Sequence, residues 1–379
     1  MSITKFYEDK VDPFHVYYDI DIVHQTEDDT PAPLSFNQTR SAPFLRNPEK
    51  YFMSIIRFNV TNSLPVFIPK IQLNQPNPNK TIYNMYISTQ SPSASAIKVN
   101  FEWVCPNDAP IPNPDTAGNY TYQNIQNEYY YCYTIEYFLY LMNQQLQTKI
   151  NTTPMSGAFE NVWFSLNKDT YQLELNFISV DKSWRPRFYF NGPLRGLFSL
   201  FTYKYNGFNI PNYGNTTEKT FEILWERSNH NASLTKPQVT INTEACCLQR
   251  WNPVSAVVFT TTTLPVVASE TGTPLVYGSN VKVGNVSSNN NISTIITDFT
   301  VSIGPNNLYA PEIDYLPTAE YRLNDMYGNQ DLKNIDIQVS WKDKYGNYYP
   351  LMLPSGGKAN IKIMYRKKNY NVNTKNIIV

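Results

Sequence analysis

Histidines, cysteines and paired carboxylates are the side chains that most often carry chemistry, and this chain holds few of them at useful spacing. Its three histidines are His15, His24 and His230. The first two flank one strand-like run and the third lies in a polar stretch, so their positions assemble neither a metal triad nor a paired general base. Cys105, Cys132, Cys246 and Cys247 contain no CxxC, and zinc is not expected. Vicinal Cys246-Cys247 is a candidate redox pair, but adjacent cysteines reach disulfide geometry only through a distorted peptide. Buried free thiols are the expectation. Asp19 and Asp21 would point the same way from a strand and could share a cation; a solvated face is the plainer reading.

Glycine-dependent motifs are missing as well. With 14 glycines the chain shows no phosphate-binding P-loop, no dinucleotide fingerprint and no nucleophile elbow, and neither HExxH nor SxxK occurs. Carboxylates are scattered, and nothing selects two of them as a glycosidase pair. The expectation is a protein that is not an enzyme, with no catalytic, cofactor-binding or metal residue and no cofactor.

Composition points to a mostly β chain. Of 379 residues, 41% are hydrophobic and 15% aromatic, including 29 Tyr and 20 Phe. Such a balance favours strands and half-buried surfaces. Lys plus Arg number 31, as do Asp plus Glu, so there is no global electrostatic footprint for nucleic acid or an acidic membrane. Charged residues at only 16% tolerate association, although a drift toward Asn, Tyr, Ile and Lys would give the same figure. The start, MSITKFYEDKVDPFHVYYD, lacks the apolar run of a signal peptide. No run of about 18 apolar residues marks a membrane span. A soluble product of the cytosol is expected, with triplets such as Asn59-Val-Thr and Asn285-Val-Ser a by-product of abundant Asn rather than glycan sites.

The elements that would position any site are mostly strands. VYYDIDIVH places Tyr18, Ile20 and Ile22 on one face and Tyr17, Asp19 and Asp21 on the other. In KYFMSIIRFNVTNSLPVFIPKIQ, Phe52, Ile56, Phe58 and Val60 are expected to face the core, interrupted by Ser54. Pro65 and Pro69 then make LPVFIPKI an edge strand or one bent at a sandwich corner. NQPNPNKT and PNDAPIPNPDTAGN read as loops. A single helix is predicted over residues 134–150, with Ile135, Phe138, Leu139, Met142 and Leu146 at helical spacing and Thr134 as N-cap. ENVWFSLNKDTYQLELNF reads as a hairpin. RPRFYFNGPLRGLFSLF interleaves aromatics with Arg185, Arg187 and Arg195, a weak single-strand nucleic-acid pattern for which a loop packed on the hairpin is the preferred reading.

Clean alternation returns near residue 249. NPVSAVVFTTTTLPVV, IITDFTVSI and NIDIQVSW read as strands, the last with Ile335, Ile337, Val339 and Trp341 inward; VSSNNNIST is a polar turn. ANIKIMYRKK puts Ala359, Ile361, Ile363 and Tyr365 inward, and a basic, Asn-rich tail follows. Patterned strands at both ends and a looser middle predict one mainly β sandwich interrupted by an insertion, as a jelly roll allows.

Four segments carry a family resemblance: NPEKYFMSIIRFNVTNSLPVFIPKIQ, YTIEYFLYLMNQQL, RFYFNGPLRGLFSLF, and YRLNDMYGNQDLKNIDIQVSWKDKYGNYYPLMLPSGGKANIKIMYRKK. Together, and in this order, they resemble the vertex (penton) capsid proteins of virophages and Polinton-type viruses. The resemblance implies a single jelly roll from residues 1–75, with an N-terminal arm, and 249–379, with a C-terminal tail. Residues 76–248 would form an inserted, outward-projecting upper domain, mixed but mostly β. It also implies a homo-pentamer at the fivefold vertices of an icosahedral double-stranded DNA virion, contacts with major capsid protein capsomers, and genome release by loss of the vertex at low pH. With no histidine cluster, carboxylates would carry acid sensitivity. Arg366, Lys367, Lys368 and Lys375 are expected near packaged DNA, or merely solvated. Two alternatives remain at this point: a trimeric double jelly-roll major capsid protein, and a carbohydrate- or receptor-binding β-sandwich using Trp184, Tyr189 and Tyr203.

Overall fold

The computed structural model describes residues 13–25, 30–72, 75–89, 96–107, 109–112, 127–180, 186–225, 236, 238–267, 294–301, 310–317 and 322–368. The expected N-terminal arm up to residue 12, the polar turn before Thr294, the tail beyond Lys368, and His230, Trp184, Arg185 and Lys375 lie outside them. Every described strand ladder is antiparallel. The described residues form two compact units, one drawn from those within Met1–Leu64, Val254–Ser302 and Ala310–Val379, the other from those within Pro65–Pro253.

The first unit is a two-sheet sandwich. One sheet runs in the order His15–Val23, Lys358–Lys367, Tyr51–Thr61, Glu312–Tyr315, with Asn324–Asp325 also on Tyr51–Thr61. The other runs Thr294–Phe299, Val254–Thr261, Asn334–Asp343, Tyr348–Pro350, with Ser35–Thr39 also on Asn334–Asp343. Alternation in the sequence becomes alternation in space. Ile20 pairs with Ile361 and Tyr18 with Ile363 on one ladder, while Ile335, Ile337, Val339 and Trp341 are all buried on another. Phe58 from the first sheet meets Phe36, Phe259 and Phe299 from the second, which closes the core between them.

The strand Tyr51–Thr61 corrects the expected core face. Ile363 pairs with Ile55 and Lys362 with Arg57, so Ile56 is an extra residue opposite no partner. This bulge reverses the phase of the strand. Tyr51, Met53 and Ile55 are buried before it and Phe58 and Val60 after it, while Phe52 and Ile56 are only half-buried. The corner that follows is held by Asn62, whose Oδ1 accepts from Leu64 N at 3.0 Å and whose Nδ2 donates to Ala310 O at 3.0 Å. LPVFIPKI is not a second sandwich strand. Two of its residues lack a backbone donor, it makes only isolated bridges from Phe67 to Cys132 and from Ile71 to Thr81, and Val66 and Phe67 join the core of the second unit.

The second unit holds a five-stranded sheet in the order Tyr203–Ile210, Gly214–Ile223, Arg187–Asn191, Lys80–Ser88, Ile97–Glu102. A three-stranded sheet runs Gln238–Asn242, Leu173–Ser179, Phe159–Leu166. The predicted hairpin is present with Val162, Phe164, Leu173, Leu175 and Phe177 buried. Its turn is closed by Asn167, whose side chain accepts from Asp169 N and Thr170 N.

The predicted helix spans Ile135–Asn151 and buries the expected stripe, extended by Leu141 and Ile150. Thr134 takes the N-cap position, but its side chain makes no capping hydrogen bond. A second helix, Gly192–Leu197, was not expected. It starts because Asn191 Oδ1 accepts from Leu194 N at 3.1 Å and Pro193 occupies the first turn. Within that stretch Arg187–Asn191 is therefore a central strand and Gly192–Leu197 a helix, not a loop. Phe67, Phe138, Phe198 and Trp251 meet in the core, with Phe67 at 4.8 Å from Phe138 and 5.0 Å from Trp251.

Candidate functional site

The outer face of the first sheet carries a ladder of polar side chains, set there by the same alternation that turns Ile20, Phe58 and Ile361 inward. Asp19 and Asp21 do point the same way, and their partners come from the protein. Arg57 Nη2 donates to Asp19 Oδ2 at 2.9 Å, and Asn360 Nδ2 bridges Asp19 Oδ1 at 2.7 Å and Asp21 Oδ1 at 2.8 Å. Across the sheet, Asn59 Nδ2 donates to Glu312 and Asp314, and Lys358 Nζ lies 3.1 Å from Glu312. Hydrogen bonds from Asn59 and Lys358 hold the Glu312 carboxyl below its usual range. Each ion pair is exposed and worth little alone; together they set four carboxylates, two cations and two amides in one row of hydrogen-bonded groups across the sheet face.

The second unit has its own polar cluster on the sheet face away from the main core. Glu218 Oε1 receives Lys98 Nζ at 2.8 Å and Asn84 Nδ2 at 2.9 Å, and Glu218 Oε2 receives Asn191 Nδ2 at 2.9 Å. Burial works against the Glu218 anion, but the hydrogen bonds of Lys98, Asn191 and Asn84 outweigh it and hold the carboxyl below its usual range. Lys98 also lies 5.2 Å over the Tyr86 ring. Sequence reasoning missed this cluster. Its visible traces were a lone Asn84 inside an apolar strand and the Asn191-Gly192-Pro193 helix start.

The residues singled out by sequence are not brought together. His15 stacks on Tyr17, with ring centroids 6.1 Å apart, and His24 Nδ1 lies 3.2 Å from Pro354 O. All four cysteines are free thiols, with Cys132 and Cys247 buried. Among the described residues, no three His, Cys, Asp or Glu side chains gather as metal ligands, and no helix is long and apolar enough to cross a membrane. The proposed sugar platform is corrected: Tyr189 is fully buried in a small cluster with Tyr86 and Ile210 on its face of the sheet, and the Tyr203 hydroxyl donates to Phe198 O at 2.8 Å. Arg195 lies over Phe221 at 4.5 Å and Arg187 lies 3.6 Å from Glu222, so both arginines serve the fold. Lys368 is tied to Asp325 at 2.9 Å, and Lys367 lies over Phe14.

The first unit is a jelly-roll sandwich assembled from both ends of the chain, an architecture found in viral capsid proteins as well as in lectins and cupins, and the family comparison selects the capsid class among them. The chain belongs to the family of the Sputnik minor capsid protein V18/19, whose model matches residues 16–367. It is 34% identical to protein V18 of Sputnik virophage over 155 residues, 40% of this chain and 91% of that protein. To Structural protein V19 of Sputnik virophage it is 29% identical over 124 residues, 32% of this chain and about half, 52%, of that protein. A chain in the cryo-EM structure of the Sputnik virophage superposes with a TM-score of 0.73 at 27% identity, covering 94% of this chain and 98% of that one. The crystal structure of the mavirus penton protein shares the fold with a TM-score of 0.60 at 16% identity, covering 93% and 99%. This chain is thus a virophage capsid component, a virion protein that works in contact with other capsid proteins.

Proposed function

We propose that this protein forms the pentameric capsomer at the fivefold vertices of the virion, with its jelly roll in the shell and the inserted residues 76–248 projecting outward. The observation that carries this reading is a likeness covering more than nine-tenths of the chain both to a Sputnik virophage chain and to a mavirus penton protein. Closing a ring requires one patch of each subunit to meet a different patch of the next. The charged ladder of Asp19, Arg57, Asn360 and Glu312 is suited to fixing register in such a contact, since fixed charges select one alignment more than they add affinity. The terminal arms, residues 1 to 13 and 369 to 379, tie the ring to neighbouring capsomers. Vertex loss releases the genome, and protonation of carboxylates at the subunit contacts weakens the ring.

Native mass spectrometry of the purified protein at neutral and acid pH tests this. A species of five times 43.8 kDa that dissociates in acid supports both parts. A trimer would favour a major-capsid arrangement instead, and an acid-stable pentamer would remove the release mechanism while keeping the vertex.

A further inference from the structure

A groove of about 620 Å³ lies between the helix Ile135–Asn151 and the strand Phe159–Leu166, within the second unit, a size suited to a small ligand. One wall is a helix face. Tyr140, Gln144, Gln147, Thr148 and Asn151 recur at the spacing that stacks side chains along one side. The other wall is Glu160, Asn161 and Trp163 of the strand, with Ile178 beside them.

The composition of this groove is unusual for a solvated helix face, which normally carries charge. Five of the ten lining residues end in a primary amide. An amide offers a donor and an acceptor side by side, the pattern that two neighbouring sugar hydroxyls present. Tyr140 is 54% exposed and Trp163 half-buried, and an aromatic face attracts the C–H-lined face of a pyranose. Among the lining residues only Glu160 is charged, and Lys236 neutralises it at 2.9 Å. Nucleic acid would need a cationic groove.

Some of the amides serve the fold and others remain available. Asn143 spends both side-chain atoms on Phe164, donating to its O at 2.8 Å and accepting from its N at 2.7 Å. Gln147 Nε2 donates to Asn151 Oδ1 at 2.9 Å and to Glu160 O, yet its Oε1 is buried without a donor. Gln144 Nε2 donates to the Tyr140 hydroxyl at 3.0 Å, and its Oε1 meets no donor among the described residues. The side chain of Asn161 makes no hydrogen bond to a described residue. A polar groove with an orphaned acceptor and uncommitted amides is built for a hydroxyl-rich ligand.

We propose that this groove binds a neutral pyranose oligosaccharide, with Trp163 and Tyr140 taking the sugar faces and Asn161, Gln144 and Asn151 its hydroxyls. The assignment is independent of the pentamer, and it replaces the residues that sequence alone suggested for a sugar.

The full-length, assembled protein is applied to immobilised neutral glycans built on glucose, mannose, galactose and N-acetylglucosamine, so that several copies act together and weak sites register. Retention on at least one glycan, eluted by the free sugar, is expected. Trp163→Ala and Asn161→Ala should each weaken it about tenfold or more, Trp163→Tyr should restore most of it, and Tyr345→Ala in the other unit should change nothing. Circular dichroism confirms that each variant is folded. Absence of retention on every neutral glycan, retention undiminished in folded Trp163→Ala, or binding confined to sialylated or sulfated glycans overturns the proposal. So does a Trp163→Ala protein whose assembled mass changes, because the groove would then be an interface between copies. None of these outcomes bears on whether the native mass is fivefold.

Discussion

Phe58 and Phe259 meet edge to face across the sandwich, their ring centroids 4.9 Å apart at an interplanar angle of 85°. Both are fully buried, and they come from opposite sheets and from chain segments 201 positions apart in sequence. The contact exists only because the bulge at Ile56 returns Phe58 to the inner face. Phe58→Ala is expected to destabilise the first unit by about 3 to 5 kcal/mol, the combined loss of buried area and the cavity left behind. Phe58→Leu should cost clearly less. Urea unfolding of both variants measures the difference, and equal midpoints for Phe58→Ala and the parent would contradict this account of the core.

Asp336 fastens the turn after the strand Val254–Thr261. Its carboxylate accepts from the hydroxyls of Thr261, Thr262 and Thr263 and from the backbone N–H groups of Thr262 and Thr263. Burial opposes the charge, but the hydroxyl hydrogen bonds of Thr262, Thr263 and Thr261 win and hold the carboxyl below its usual range. Asp336→Asn places an amide among donors and should cost about 1 to 3 kcal/mol. Hydrogen exchange at Thr262 and Thr263 should quicken in that variant while exchange in the second unit stays unchanged.

The Glu218 cluster predicts an acid limb in stability. A carboxyl whose folded value is depressed contributes stability that is fully present above its unfolded value and is lost as pH falls through the folded one. The contribution is therefore intact at neutral pH and begins to be lost only as pH falls below the ordinary carboxylate value of about 4. Glu218→Gln should lose about 1 to 2 kcal/mol at neutral pH and show a flatter decline in acid. Thermal melts of both proteins between neutral pH and pH 3 measure it; parallel curves would sink the assignment.

Thiol chemistry should divide by burial. Burial pushes the Cys132 thiol up to about 12, and burial followed by neighbouring Cys246 does the same for Cys247. Neither forms thiolate at neutral pH. A thiol-reactive dye should label the partly exposed Cys105 and Cys246 within minutes and leave Cys132 and Cys247 unmodified until denaturant is added, as peptide mapping would show.

Much of this molecule was legible in its residues because a two-residue period can be read without knowing the partner strand. Asn334–Asp343 and Lys358–Lys367 turned inward the side chains their alternation selected, and the apolar spacing from Ile135 marked the helix on which the groove is built. The resemblance carried by four segments pointed to the family that the whole-chain match then showed. What the pattern hid was set by contacts distant in sequence. A single extra residue at Ile56 reverses a strand only when a partner ladder leaves it unpaired, so Phe52 and Ile56 read as core and are not. LPVFIPKI was assigned to the sandwich because its composition suits a corner, yet Phe67 finds Phe138 and Trp251 in the other unit. Tyr189 reads as an exposed aromatic, yet Tyr86 and Ile210 from other strands cover it on its own face of the sheet. The sugar-binding groove arises in the same way: Tyr140, Gln144 and Asn161 are ordinary polar residues in sequence, and only the packing of one helix beside one sheet edge turns them toward each other.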